Sequence, residues 1–118
     1  MRIIIALAII LTAGVANAAP VFLSCSGDWR ALDDGQLVGD DHFSIIVDPS
    51  KGALRYKSNM PLSRFAKDDA GESFILPDDV LVITIRLDRV AGTIKVHEQA
   101  VDRPAKSKEF LGTCKPAK

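Results

Sequence analysis

Two stretches of this chain repeat one pattern at an offset of 40 residues. Ile45-Ile46-Val47-Asp48-Pro49-Ser50-Lys51-Gly52-Ala53-Leu54-Arg55-Tyr56 aligns with Ile85-Arg86-Leu87-Asp88-Arg89-Val90-Ala91-Gly92-Thr93-Ile94-Lys95-Val96, with Ile, Asp and Gly identical at matching places. Each copy reads as strand, four-residue loop, strand. The Asp carboxylate accepts hydrogen bonds from loop N–H groups, and Gly takes the left-handed position where a Cβ would clash. Pro49 suits the first loop position because its ring holds φ in the turn range. A loop of that length sets the register: Val47 faces Leu54, Ile45 faces Tyr56, Leu87 faces Ile94 and Ile85 faces Val96. All eight fall on one face of their strands, so turn chemistry and core pattern predict the same two hairpins. With only two copies, the repeat is a duplicated hairpin within one domain.

The rest of the chain alternates apolar and polar residues over short spans divided by turn residues. Val21-Phe22-Leu23-Ser24-Cys25 begins the series, Asp33-Asp34-Gly35 marks a turn, and Phe43 leads into the first hairpin. Ser73-Phe74-Ile75-Leu76 is a short strand that Pro77-Asp78-Asp79 stops. Leu81, Ile83, Ile85 and Leu87 alternate with Val82, Thr84, Arg86 and Asp88 in the longest strand; 93–99 and 109–114 complete the set. The interval 63–72, polar at Lys67-Asp68-Asp69-Ala70-Gly71, is expected to be the least structured. No segment carries a 3.6-residue apolar face through three turns. The prediction is an all-β domain: a small antiparallel barrel, or barrel-like sandwich, of seven or eight strands.

Residues 1–18 read as a cleaved signal peptide and 19–118 as the single domain. Arg2 precedes an unbroken apolar run from Ile3 to Leu11, and Ala16-Asn17-Ala18 has the small-x-small form that signal peptidase cuts. The run is shorter than the roughly 18 residues needed to span a bilayer, so no stable membrane insertion is expected after cleavage. The product is expected to be soluble and periplasmic or secreted. In an oxidising compartment the only two cysteines, Cys25 and Cys114, are expected to pair. Joining the first and last strands favours a barrel, because it closes the seam where sheet edges would stay open.

Fifteen basic and fifteen acidic residues balance to a formal charge of zero, which excludes a dedicated nucleic-acid binder. The chain has no phosphate-cradling glycine loop, no His-Glu-x-x-His, no Cys-x-x-Cys and no Gly-x-Ser-x-Gly. His42, behind Asp40-Asp41, and His97 are the only histidines and do not make a spaced ligand set. No catalytic residue, cofactor or metal is therefore expected. The register places Arg86 opposite Lys95 on the outer face, with Thr84 beside His97, and turns Arg55 and Lys57 outward on the first hairpin. Like charges set across a strand pair are destabilising. Arg55, Lys57, Arg86 and Lys95 are accordingly a candidate binding face for an anionic protein or envelope polymer.

The frame Cys25-Ser26-Gly27, Asp88-Arg89-Val90-Ala91-Gly92 and Gly112-Thr113-Cys114 resembles that of small uncharacterised exported bacterial proteins. The resemblance implies a compartment and a fold, without an activity. The run Ser50-Lys51-Gly52-Ala53-Leu54-Arg55-Tyr56 is similar in residue types to the Ser-Gly-x-x-Tyr loop of periplasmic inhibitors of C-type lysozyme. Those are small disulfide-linked β-barrels whose loop enters the lysozyme cleft, and the likeness implies a candidate inhibitor loop at Ser50, Lys51 and Gly52. The combined expectation is an exported, non-catalytic binding or envelope-interaction protein. The alternatives are a lysozyme-type inhibitor and a hollow ligand-binding barrel. A hydrolase would need a His beside a carboxylate and a Ser or Cys in one pocket.

Overall fold

A computed structural model describes residues 19–57, 59–76, 80–102 and 107–117. The signal-peptide reading of 1–18 and the Pro77-Asp78-Asp79 turn lie outside these residues. The described chain forms eight strands: β1 (Val21–Ala31), β2 (Leu37–Asp48), β3 (Ala53–Tyr56), β4 (Met60–Lys67), β5 (Gly71–Leu76), β6 (Leu81–Asp88), β7 (Thr93–Ala100) and β8 (Lys108–Pro116). Each strand pairs antiparallel with the next, and β8 pairs back onto β1 to close a barrel.

The duplicated hairpin has the register its turns dictate. Val47 opposes Leu54, Ile45 opposes Tyr56, Leu87 opposes Ile94 and Ile85 opposes Val96, and all eight are buried. Asp48 Oδ1 accepts hydrogen bonds from the Ser50 hydroxyl and the Lys51 amide; Asp88 Oδ1 accepts from the amides of Val90 and Ala91. Gly52 and Gly92 take φ of 60° and 72°, where a Cβ is disfavoured. Asp68 repeats the device, accepting from Ala70 and Gly71. Asp48, Asp68 and Asp88 thus stand 20 residues apart and open three successive turns at one end of the barrel.

That third turn corrects the expectation for 63–72, which is strand on both sides of a short turn at 68–70. The apolar alternation fails there because two of its inward positions are charged. Arg64 on β4 and Glu72 on β5 both face the interior and pair with each other, and Arg89 also approaches Glu72, at 3.6 Å. Glu72 is only 3% exposed, so it needs those partners to offset its desolvation. A bulge at Phe65 then shifts the register and leaves that ring on the surface.

The β1–β8 seam is held by the pairing Cys25↔Cys114, whose Cα atoms lie 4.1 Å apart in a disulfide. Next along the seam Gly27 opposes Gly112, where a Cβ on Gly27 would fall 2.2 Å from the Leu111 carbonyl oxygen. Gly92 reaches the same place, its carbonyl accepting from the Cys114 amide. The three pieces of the Cys-x-Gly, Asp-to-Gly and Gly-x-Cys frame therefore converge on the closure of the barrel. The interior is filled by branched aliphatic side chains and by Trp29, Phe43, Tyr56, Phe74 and Phe110. Each fully buried aliphatic or aromatic side chain contributes about 1.5–3 kcal/mol.

Candidate functional site

Closure distributes the four basic residues of the candidate face around the barrel. Strand β3 lies four strands from β7 in either direction, so Arg55 is opposite Lys95. Arg55 lines an outer cleft of about 340 Å³ with Phe22, Ile46, Lys51 and Pro61. Lys57 follows the end of β3, where its backbone turns to φ 52° and its ammonium comes to lie at the mouth of the barrel. Only Arg86 and Lys95 remain together. A single face of four cations required a flat sheet, and a closed one separates them.

On β6 and β7, Arg86 opposes Lys95 and Thr84 opposes His97. Two clefts of about 290 and 390 Å³ open along this outer surface, and both are lined by Arg86 and Lys95. The first also carries Val82, Thr84, His97, Gln99 and Glu109; the second runs on to Asp88, Thr93 and Leu111. Arg86 grips Asp68 through one guanidinium nitrogen at 2.9 and 3.1 Å and donates to the Ser73 hydroxyl. That bond to Arg86 is the main reason the Asp68 carboxyl is held below its usual pKa. Lys95 has no ion pair among the described residues. His97 Nε2 is buried without a hydrogen-bond partner among the described residues.

Ser50, Lys51 and Gly52 form the tight turn between β2 and β3, with the Ser50 hydroxyl drawn back onto Asp48 at 2.7 Å. Tyr56 lies inside the barrel with no exposed surface, so Ser50 and Tyr56 do not share a surface. A fourth outer cleft, of about 630 Å³, contains His42, Ser26, Asp28 and Asp40. His42 lies between two hydroxyls, with Ser26 Oγ 2.8 Å from Nδ1 and Ser24 Oγ 3.2 Å from Nε2. Both ring nitrogens are thus occupied by serines, and the carboxylate that would orient a catalytic imidazole is not among their partners. Among the described residues no group of three or more His, Cys, Asp and Glu could hold a metal ion.

The mouth assembles a cluster that sequence reasoning missed. Trp29 donates its indole N–H to Asp41 Oδ2 at 3.0 Å, and the Tyr56 hydroxyl donates to Glu98 Oε2 at 3.2 Å. Lys57 Nζ lies 3.7 Å from Asp41, and Lys108 Nζ lies 3.8 Å from Glu98 and 4.5 Å from the centre of the Trp29 ring. The Trp29 hydrogen bond, with help from the His42 amide and Lys57, holds the Asp41 carboxyl below its usual pKa against partial burial. Burial, then the charge of Glu98, pushes the Tyr56 phenol far above its usual 10.0. The signal in the sequence was the inward parity of Trp29, Asp41 and Glu98 along their strands. It could be read only once β1 and β2 were known to extend past Cys25 and start before Phe43.

No family model, curated protein or solved structure matches the chain.

Proposed function

We propose that this is an exported, non-catalytic binding protein of the cell envelope, working through the outer face of β6, β7 and β8. The observation that carries the reading is that Arg86 and Lys95 stand side by side where two clefts meet. Confluent shallow clefts suit an extended chain, and Thr84, Lys95 and Gln99 supply donors along them. Asp68 neutralises Arg86, which leaves Lys95 as the cation lining the two clefts that has no ion pair among the described residues. An anionic protein segment or envelope polymer is the matching partner class. The interior, packed with its own side chains, favours an outer surface over a hollow carrier. The disulfide is compatible with the oxidising compartment that the leader implies.

The test is affinity capture from envelope extract with residues 19–118, followed by identification of the bound material. Lys95→Glu is the informative variant, because Arg86→Glu would also disrupt the contact with Asp68. Lys95→Glu is expected to lose the partner. Unchanged capture would remove the proposal.

A further inference from the structure

We propose that the mouth of the barrel is a binding site for a small organic ammonium ligand, and that Lys57 occupies it as an internal stand-in. Lys57 Nζ lies 5.2 Å from the ring centre of Tyr56, 5.6 Å from that of Phe43 and 6.0 Å from that of Trp29. The Asp41 carboxylate completes the enclosure at 3.7 Å. Several aromatic rings around one positive nitrogen, with a carboxylate nearby, is the arrangement by which proteins recognise alkylated and primary amines.

The walls are fixed without help from Lys57. The Asp41 hydrogen bond orients Trp29, the Glu98 hydrogen bond orients Tyr56, and Phe43 packs edge-on against Tyr56 at 85° and against Phe110. The three rings are 0–6% exposed, whereas the Lys57 side chain is 39% exposed. The occupant is also the strained member of the site. Among the described residues Lys57 alone has a positive φ without being glycine. Backbone strain of this kind persists where the surroundings hold it, and it clusters at ligand clamps and switches. A competing ammonium would take over the rings and Asp41, releasing Lys57 to solvent and its backbone to an ordinary conformation. The site is remote in chemistry from the outer cleft: it selects a cation, where Lys95 selects an anion.

Trp29 is the sole tryptophan, so intrinsic fluorescence reports on this mouth alone. Choline and ethanolamine are the probes, titrated against the disulfide-intact protein and its Lys57→Gly variant. Glycine accepts the positive φ and removes the resident ammonium. A site held nine-tenths of the time by its own side chain binds an outside ligand about tenfold more weakly. Lys57→Gly is therefore expected to bind at least one of the two probes about tenfold more tightly than the parent, with no such gain for 3,3-dimethylbutan-1-ol, the uncharged isostere of choline. Equal affinity of variant and parent for both cations would overturn the proposal, and so would an equal gain for the alcohol. A second reading uses the unaltered protein, should the variant fail to fold. The Lys57 ε-methylene protons, shifted upfield by the three rings, are expected to move towards the random-coil position as either probe is added. Resonances that stay in place up to molar concentrations of both probes would also overturn it.

Discussion

At the end of the barrel where Asp48, Asp68 and Asp88 open their turns, short loops are capped by carboxylates, glycines take the left-handed positions, and the interior charges of Arg64 and Glu72 pair with each other. At the mouth, Gly35 takes a positive φ in the β1–β2 turn but Lys57 takes another, and the interior closes with indole, phenol, carboxylates and two ammonium groups. Both ends face the same problem, the desolvation of polar groups where a filled barrel meets water. The Asp-turn end solves it with residues suited to their backbone, whereas the mouth keeps a residue that is not. Local rules and tertiary packing agree at one end and conflict at the other, and conflict is where function is sought.

The seam belongs to both ends, so removing it has the largest expected effect. Cys25 and Cys114 are 89 residues apart, and releasing a loop of that length costs roughly 4–5 kcal/mol in the chain-entropy account. Cys25→Ala with Cys114→Ala is expected to lower the urea midpoint accordingly. Amide exchange should then show β1 and β8 opening before the three Asp turns. Simultaneous opening of all strands would mean that the Asp-turn end has no stability of its own.

Next come the polar groups that each end buries. Glu72→Ala leaves Arg64 facing the interior without its carboxylate and is expected to cost about 2–3 kcal/mol, discounted because both arginines are partly exposed. Tyr56→Phe at the mouth removes one hydrogen bond and keeps the ring, at about 1 kcal/mol. Urea denaturation of the two variants compares the ends directly, and a larger loss from Tyr56→Phe would reverse the comparison. The phenol adds a pH signature. Its proton is held more tightly in the folded state than in the unfolded chain, so this stabilisation is complete below the usual 10.0 and declines as the pH rises above it. Tyr56 is the only tyrosine, so phenolate absorbance should appear together with alkaline unfolding and not before it. Ionisation of a still-folded protein would show that the mouth is open to water.

Much of this was legible in the residues. Asp48, Gly52, Asp88 and Gly92 specified both turns and, through them, the pairing of eight core residues, because turn length and strand parity are local properties. The cysteines told which strands close the sheet. Arg64 and Glu72 concealed β4, since inward charges look like a surface until their pairing is known. The candidate face was misjudged for a different reason. Parity says which side of a strand a lysine takes, but not how far around a closed barrel its neighbours have travelled, nor that Lys57 would leave its strand for three aromatic rings. The mouth draws on β1, β2, β3, β7 and β8 together, a proximity that sequence spacing does not encode.

The smallest effect is the most diagnostic of the difference between the ends. Gly92→Ala places a Cβ at φ 72° with only an ordinary contact, 3.9 Å to the Cys114 carbonyl oxygen, so its cost is nearly pure backbone strain, about 1–2 kcal/mol. Lys57→Gly removes the same kind of strain at φ 52° and loses the contacts of the ammonium with the rings, themselves about 0.5–2 kcal/mol. The greater backbone freedom of glycine in the unfolded chain adds a further small cost. These terms oppose one another, and the net change is expected to stay within about 1 kcal/mol of zero by the same figures. Measured side by side in urea, Lys57→Gly should therefore be the milder variant, although it deletes a long side chain and Gly92→Ala adds one methyl. If Lys57→Gly proved the more damaging, the lysine would be a structural plug and the two ends would differ only in the residues they use.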